Sequence, residues 1–191
     1  MQPYLTLIAL CWLVFIVVWF VFAFNTKRYV RRSGLMFNSA WWSWRFLVLV
    51  IVVLLSRVSA VRVFFLSLNG LALSPAWATF GVILCAAGIA FAIWARVHIG
   101  RNWGMPMSLK ESPELVTSGP YAYVRHPIYT GVIAGMIGSA IVSPFWIIPA
   151  VFGALFFIYS GKKEEKVMRA EFPDTYPAYM QRTKMLVPFI F

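Results

Sequence analysis

The chain has 191 residues, 61% of them hydrophobic and only 12% charged, with a formal net charge of +11. An ordinary soluble domain is roughly 45–50% apolar, so this composition excludes a water-facing globular enzyme and indicates an all-α, polytopic membrane helix bundle. It also excludes a nucleic-acid partner, because the basic residues lie between apolar stretches and leave no basic folded domain to hold one.

Residues 3–24 are apolar and uncharged, long enough at 1.5 Å per residue to cross a bilayer. The stretch lacks a basic leader and exceeds a signal-peptide core, so it reads as an uncleaved first span. Residues 41–66 form a second apolar stretch, interrupted by Arg57 and Arg62, and residues 75–97 a third. The two arginines either snorkel from the outer end of the second span or mark an intramembrane site; their spacing of five puts them on different helix faces, which favours snorkelling. Two shorter stretches, 128–142 and 145–160, make a hairpin around Ser143-Pro144. At roughly 24 Å of helix each, they cross the membrane barely or re-enter it. The expectation is one domain over residues 1–191 with about five transmembrane helices, a helical hairpin after the third and short cytoplasmic amphipathic helices.

Charge orients these spans. Lys27, Arg28, Arg31, Arg32 and Arg45 follow the first, Arg96, Arg101, Lys110 and Arg125 the third, and Lys162, Lys163, Lys166, Arg169, Arg182 and Lys184 the hairpin. The positive-inside rule puts the long loops and the C-terminus in the cytoplasm and the N-terminus outside. The net charge then reads as topology plus attraction to anionic membrane lipids. Cys11 and Cys85 lie inside apolar spans and, with His98 and His126, make no metal-ligand set.

Residues 98–127 form the most polar loop, and its prolines and glycines forbid one long helix. Pro127 fits the first turn of the following helix, which puts Arg125 and His126 at an N-terminus that favours anions. Tyr129 and Gly131 follow within a turn. Gly131, Gly135 and Gly138 make a small-residue face; Gly135 and Gly138 suit tight packing of the two hairpin helices, and Gly131 suits packing or ligand approach equally. All six acidic residues lie after position 110, and Glu164-Glu165 is the one adjacent acidic pair. A hairpin leaves the membrane on the side it entered, so this pair should face Arg125-His126. Alone, the Lys162–Lys166 run reads as a solvated helix exit; opposite Arg-His, its carboxylates suit ribose hydroxyls, an amino group or a cation. His98 reads as interfacial, and residues 176–181 as a short surface helix.

Gly100-Arg101-Asn102-Trp103, the 115–121 run LVTSGPY, the 125–131 run RHPIYTG, Glu164-Glu165, Phe172, Tyr176, Tyr179 and Pro188 together resemble the isoprenylcysteine carboxyl methyltransferase family and its phospholipid N-methyltransferase relatives, in a small prokaryotic form. The resemblance implies S-adenosylmethionine as cofactor in a cofactor-binding catalytic region over residues 94–191, with residues 1–93 carrying no signature. It implies Tyr121, Arg125, His126, Pro127, Tyr129, Gly131, Glu164 and Glu165 as cofactor residues, with Arg125, His126 and Glu165 catalytic and no metal. It further implies the inner membrane, a cytoplasmic site, and a lipid or prenylated substrate entering from the membrane, with carboxyl O-methylation of an isoprenylcysteine-like acceptor as the reaction. Two departures bear on the acceptor. Pro113-Glu114 stands where relatives carry a histidine, and the 159–163 run YSGKK where many carry an arginine before the glutamate pair; lysine offers a point charge rather than a bidentate fork. The alternatives are a membrane reductase using a nicotinamide cofactor and a non-catalytic scaffold or transporter, for which no inverted repeat is visible.

Overall fold

The computed structural model describes residues 2–23, 29–31, 74–103, 109–110 and 114–190. Within them the chain forms α1 (Gln2–Ala23), α2 (Pro75–Ile99), α3 (Pro127–Val142), α4 (Ile147–Glu171) and the short α5 (Tyr176–Arg182). The helical expectation holds, with one addition among the described residues. A short antiparallel pairing joins β1 (Tyr29–Arg31) to β2 (Leu109–Lys110), so the loop after α1 and the loop after α2 meet.

The segments Gln2–Phe22, Pro75–Asn102 and Pro144–Glu171 are long and apolar enough to cross a membrane, whereas the apolar Pro127–Val142 is shorter. The expected second span, with Arg57 and Arg62, lies outside the described residues. The outer faces carry exposed Ile16, Phe20, Ile83, Phe152 and Leu155, as a lipid-facing bundle should.

Glycines set the tightest helix contact. A Cβ on Gly131 would stand 2.5 Å from the Gly88 carbonyl oxygen, and one on Gly138 2.4 Å from the Cys85 nitrogen. The backbones of α2 and α3 therefore touch, a contact that dispersion stabilises where lipid supplies no hydrophobic drive. This corrects the expected partner: the small-residue face of α3 packs on α2, not on its hairpin partner α4. The α3–α4 seam is built from larger groups, with Met136 Sδ 2.7 Å from where a Gly153 Cβ would be. Across the other side, Trp12 Nε1 donates to Ser139 Oγ at 3.0 Å, Ser139 Oγ donates to the Gly135 carbonyl at 2.8 Å, and Trp12 stacks on Trp146.

The fully buried Arg96 joins the ends of α1 and α2. Its guanidinium donates to the Phe22 carbonyl at 2.7 Å and the Gly100 carbonyl at 2.9 Å, and lies over the Trp103 ring. It thus satisfies carbonyls that a helix terminus leaves orphaned. The ends of α1, α2 and α4 and the start of α3 gather at one pole of the bundle, where the polar residues are.

Candidate active site

Two local features shape the polar pole. Gly119 adopts φ +59, and with Pro120 it makes a single 3-10 turn, Gly119–Ala122, that carries Tyr121. A Cβ at Gly119 would lie 2.6 Å from the His98 ring, whose Nε2 is 2.9 Å from Ser118 Oγ and whose face stacks on Tyr121. Pro127 then holds His126 out of the helix at φ −124, ψ 61 and opens α3 at its first position.

The 183–186 segment lies alongside. Val124 pairs with Lys184 in a parallel bridge, the Arg125 and His126 amides donate to the Lys184 and Met185 carbonyls at 2.9 and 3.1 Å, and Thr130 Oγ1 donates to the Leu186 carbonyl at 2.7 Å. This strap fixes the backbone on which Arg125 and His126 sit.

From the other side, α4 presents Phe157, Gly161, Glu164 and Glu165. Arg125 Nε donates to Glu165 Oε1 at 2.6 Å, both side chains being 9% exposed. Its Nη1 donates to the Thr183 carbonyl and reaches the Met180 carbonyl at 3.4 Å. The Tyr129 hydroxyl donates to Glu164 Oε1. His126 lies between the two carboxylates, Nδ1 3.4 Å from Glu164 Oε2 and Nε2 3.6 Å from Glu165 Oε1. The His126 ring stacks on Tyr129 at 5.3 Å and Tyr129 on Phe157 at 4.6 Å, so an aromatic column runs from the polar cluster into the hairpin.

The charges are matched. Burial opposes a proton on His126, but hydrogen bonding and attraction from Glu164 and Glu165 outweigh it and raise its pKa above the ordinary imidazole value. Burial pushes the Tyr121 and Tyr176 phenols far above their usual range and Tyr179 up to about 12, which keeps all three neutral. The Tyr179 hydroxyl donates to the Tyr121 carbonyl at 2.6 Å, tying α5 to the 3-10 turn.

The expected site residues are therefore largely brought together. Arg125, His126, Tyr129, Glu164 and Glu165 form one contact cluster, Tyr121 walls it, and Pro127 opens the helix behind it. The two polar groups touch directly instead of standing apart across a gap. Gly131 does not join them: it faces Gly88 and Ala92 of α2, so packing accounts for it and the expected ligand approach does not. Lys162, Lys163, Lys166 and Arg169 lie exposed while Gly161 and Glu165 are buried, which sets the basic side of α4 away from the cluster. Sequence reasoning missed the strap, because carbonyl acceptors leave no residue-type signal, and it took His98 as interfacial. The nearest clue to His98 is its polar neighbour in the turn, Ser118-Gly119.

Comparison with known proteins agrees with this arrangement. The chain is 28% identical over 124 residues to a cobalt-zinc-cadmium resistance protein of Cupriavidus metallidurans, covering 63% of this chain and 53% of that protein. It is 27% identical over 101 residues to the protein-S-isoprenylcysteine O-methyltransferase of Schizosaccharomyces pombe, covering 50% of this chain and 43% of that protein. It is 26% identical over 116 residues to protein-S-isoprenylcysteine O-methyltransferase B of Arabidopsis thaliana, covering 58% and 59%. The chain spans about half the length of these relatives. The phospholipid methyltransferase family model matches residues 77–175, half of the chain, from α2 through the paired glutamates to the start of α5. This chain thus belongs to the phospholipid methyltransferase family.

Proposed function

We propose that this chain catalyses S-adenosylmethionine-dependent methyl transfer to an amphipathic, lipid-linked acceptor, and that the acceptor group is a carboxylate of the isoprenylcysteine kind. The observation that carries this reading is the meeting of Arg125, His126 and Tyr129 with Glu164 and Glu165 at the polar pole of a bundle of this family.

The residues fit the cofactor. His126 Nε2 is buried and has no hydrogen-bond partner among the described residues, and the Glu164 side chain keeps 23% exposure. A carboxylate with spare lone pairs and an unbonded ring nitrogen suit an ammonium group and ribose hydroxyls. Glu164, His126 and Tyr129 would hold the donor, Tyr121 and Pro127 would wall it, and Arg125 with Glu165 would keep the frame rigid. When bound, the sulfonium supplies an electrophilic methyl group and leaves as a neutral thioether.

The chain's own part is binding, alignment and exclusion of water. A carboxylate acceptor is already ionised at neutral pH, so no strong general base is required, and none stands free in the cluster. Buried Tyr176 and Tyr179 cover the site from the α5 side, which favours reaction between pre-aligned partners in a dry setting. The whole 191-residue chain acts as one domain in the cell membrane, with residues 94–191 doing the chemistry. Its cytoplasmic placement follows from the basic residues at the polar pole.

The test offers purified protein in nanodiscs methyl-labelled S-adenosylmethionine with an S-prenylated cysteine, either as the free carboxylate or as its carboxamide. Label should enter the acid as a base-labile ester and leave the amide untouched. Label on an amine lipid instead would overturn the acceptor class, and no transfer at all would overturn the reading.

A further inference from the structure

The strap does not stop at Leu186. It continues into Val187-Pro188-Phe189-Ile190, a β-turn closed by the Ile190 amide donating to the Val187 carbonyl at 3.2 Å. Turns are ordinarily built from Gly, Asn, Asp, Ser and Pro; this one is wholly apolar. Phe189 stands where such a turn prefers glycine, at φ +66, a conformation that a bulky side chain adopts only against steric resistance. It is 94% exposed, with Ile190 at 79%. An aromatic ring held at backbone cost and offered to water has no rationale in an aqueous loop.

Its position supplies one. The strap runs parallel to the 124–130 segment, first at Val124 against Lys184 and then at Thr130 against Leu186. Thr130 already lies in the first turn of α3, the helix that descends into the apolar hairpin. The strap therefore heads from the polar pole toward the hydrocarbon. The side chains change in the same order: Arg182 and Lys184 are exposed, Met185 and Leu186 are buried against the bundle, and the turn is exposed and apolar. Basic residues followed by an apolar tip are the make-up of an interfacial anchor, in which cations sit at anionic head groups and apolar groups sit among the acyl chains.

We propose that the 187–190 turn inserts into the bilayer in which the helices lie, and that this insertion holds the strap, and with it the backbone of Arg125 and His126, in place. The partner is the lipid itself, at the boundary between head groups and chains. The inference is independent of the reaction the site performs.

The test places a nitroxide at position 189 through Phe189→Cys, with Cys11 and Cys85 replaced by alanine, in vesicles of phosphatidylcholine and phosphatidylglycerol. Labels at Glu171→Cys and Phe152→Cys give the aqueous and lipid references. Collision with oxygen should exceed collision with a water-soluble nickel chelate, as at position 152. Dominant nickel access, as at 171, would overturn the proposal, as would a label shielded from both reagents. In the unlabelled protein, Phe189→Asp should speed amide exchange at Arg125 and His126 several-fold; unchanged exchange would overturn the anchoring role.

Discussion

Arg125 and Glu165 stand 40 residues apart in the chain, yet Nε and Oε1 meet at 2.6 Å with both side chains 9% exposed. The same guanidinium reaches the carbonyls of Thr183 and Met180, so one residue joins the start of α3, the exit of α4 and the strap. Removing one member of a buried pair leaves the other unpaired, at a cost of about 3 kcal/mol or more. Glu165→Gln should lower the thermal unfolding midpoint in detergent accordingly. An unchanged midpoint would mean that the pair holds nothing together.

Tyr129→Phe tests the second carboxylate. It deletes the hydroxyl that donates to Glu164 while leaving the ring between His126 and Phe157. Loss of a hydrogen bond to a charged group is worth roughly 1.5–3 kcal/mol. Cofactor affinity, measured by titration calorimetry, should fall at least tenfold with little change in thermal stability. The reverse pattern would make the hydroxyl structural.

His126 gives the site a pH dependence of definite sign. Its pKa in the folded chain is raised, so its stabilising contribution is fully present below the ordinary imidazole value of about 6.5 and is lost as pH rises through the elevated folded value. The groups facing it are Arg125, Glu164 and Glu165, with Tyr129 stacked on its ring. Unfolding midpoints scanned upward from pH 6 should decline more in wild type than in His126→Gln. Parallel curves would contradict the assignment.

Two glycine substitutions separate packing from binding. In Gly131→Ala the new methyl meets the Gly88 carbonyl and the Ala92 amide at 2.5 and 2.6 Å, both backbone atoms that cannot swing aside. In Gly153→Ala it meets only the Met136 side chain. The first should cost about 1–3 kcal/mol of stability and the second much less, as read from detergent unfolding midpoints. Equal effects would show that the α2–α3 seam is no tighter than the α3–α4 seam.

The sequence carried more of the site's membership than of its wiring. Pro127 marked the helix start, the apolar run to Val142 and its return marked the hairpin, and the topology of a hairpin required Glu164-Glu165 to meet Arg125-His126. Those inferences rest on local chemistry and on which side of the membrane a segment must emerge. The partner of a glycine face has no such marker: Gly131 and Gly138 fit any close backbone, and only the fold says it is that of α2. The acceptors of Arg125 at Thr183 and Met180 are carbonyls, which every residue has, so residue type could not reveal them. Arg96 read as one more loop cation, because its role depends on where α1 ends in space.

The central claim is that the joined cluster binds the methyl donor, and its most direct test is calorimetric titration of S-adenosylmethionine into the detergent-purified protein, side by side with Glu164→Gln. Saturable binding by the wild type, weakened at least tenfold in the variant while the unfolding midpoint is retained, is the predicted result. No binding by the wild type, or equal binding by both, would contradict it.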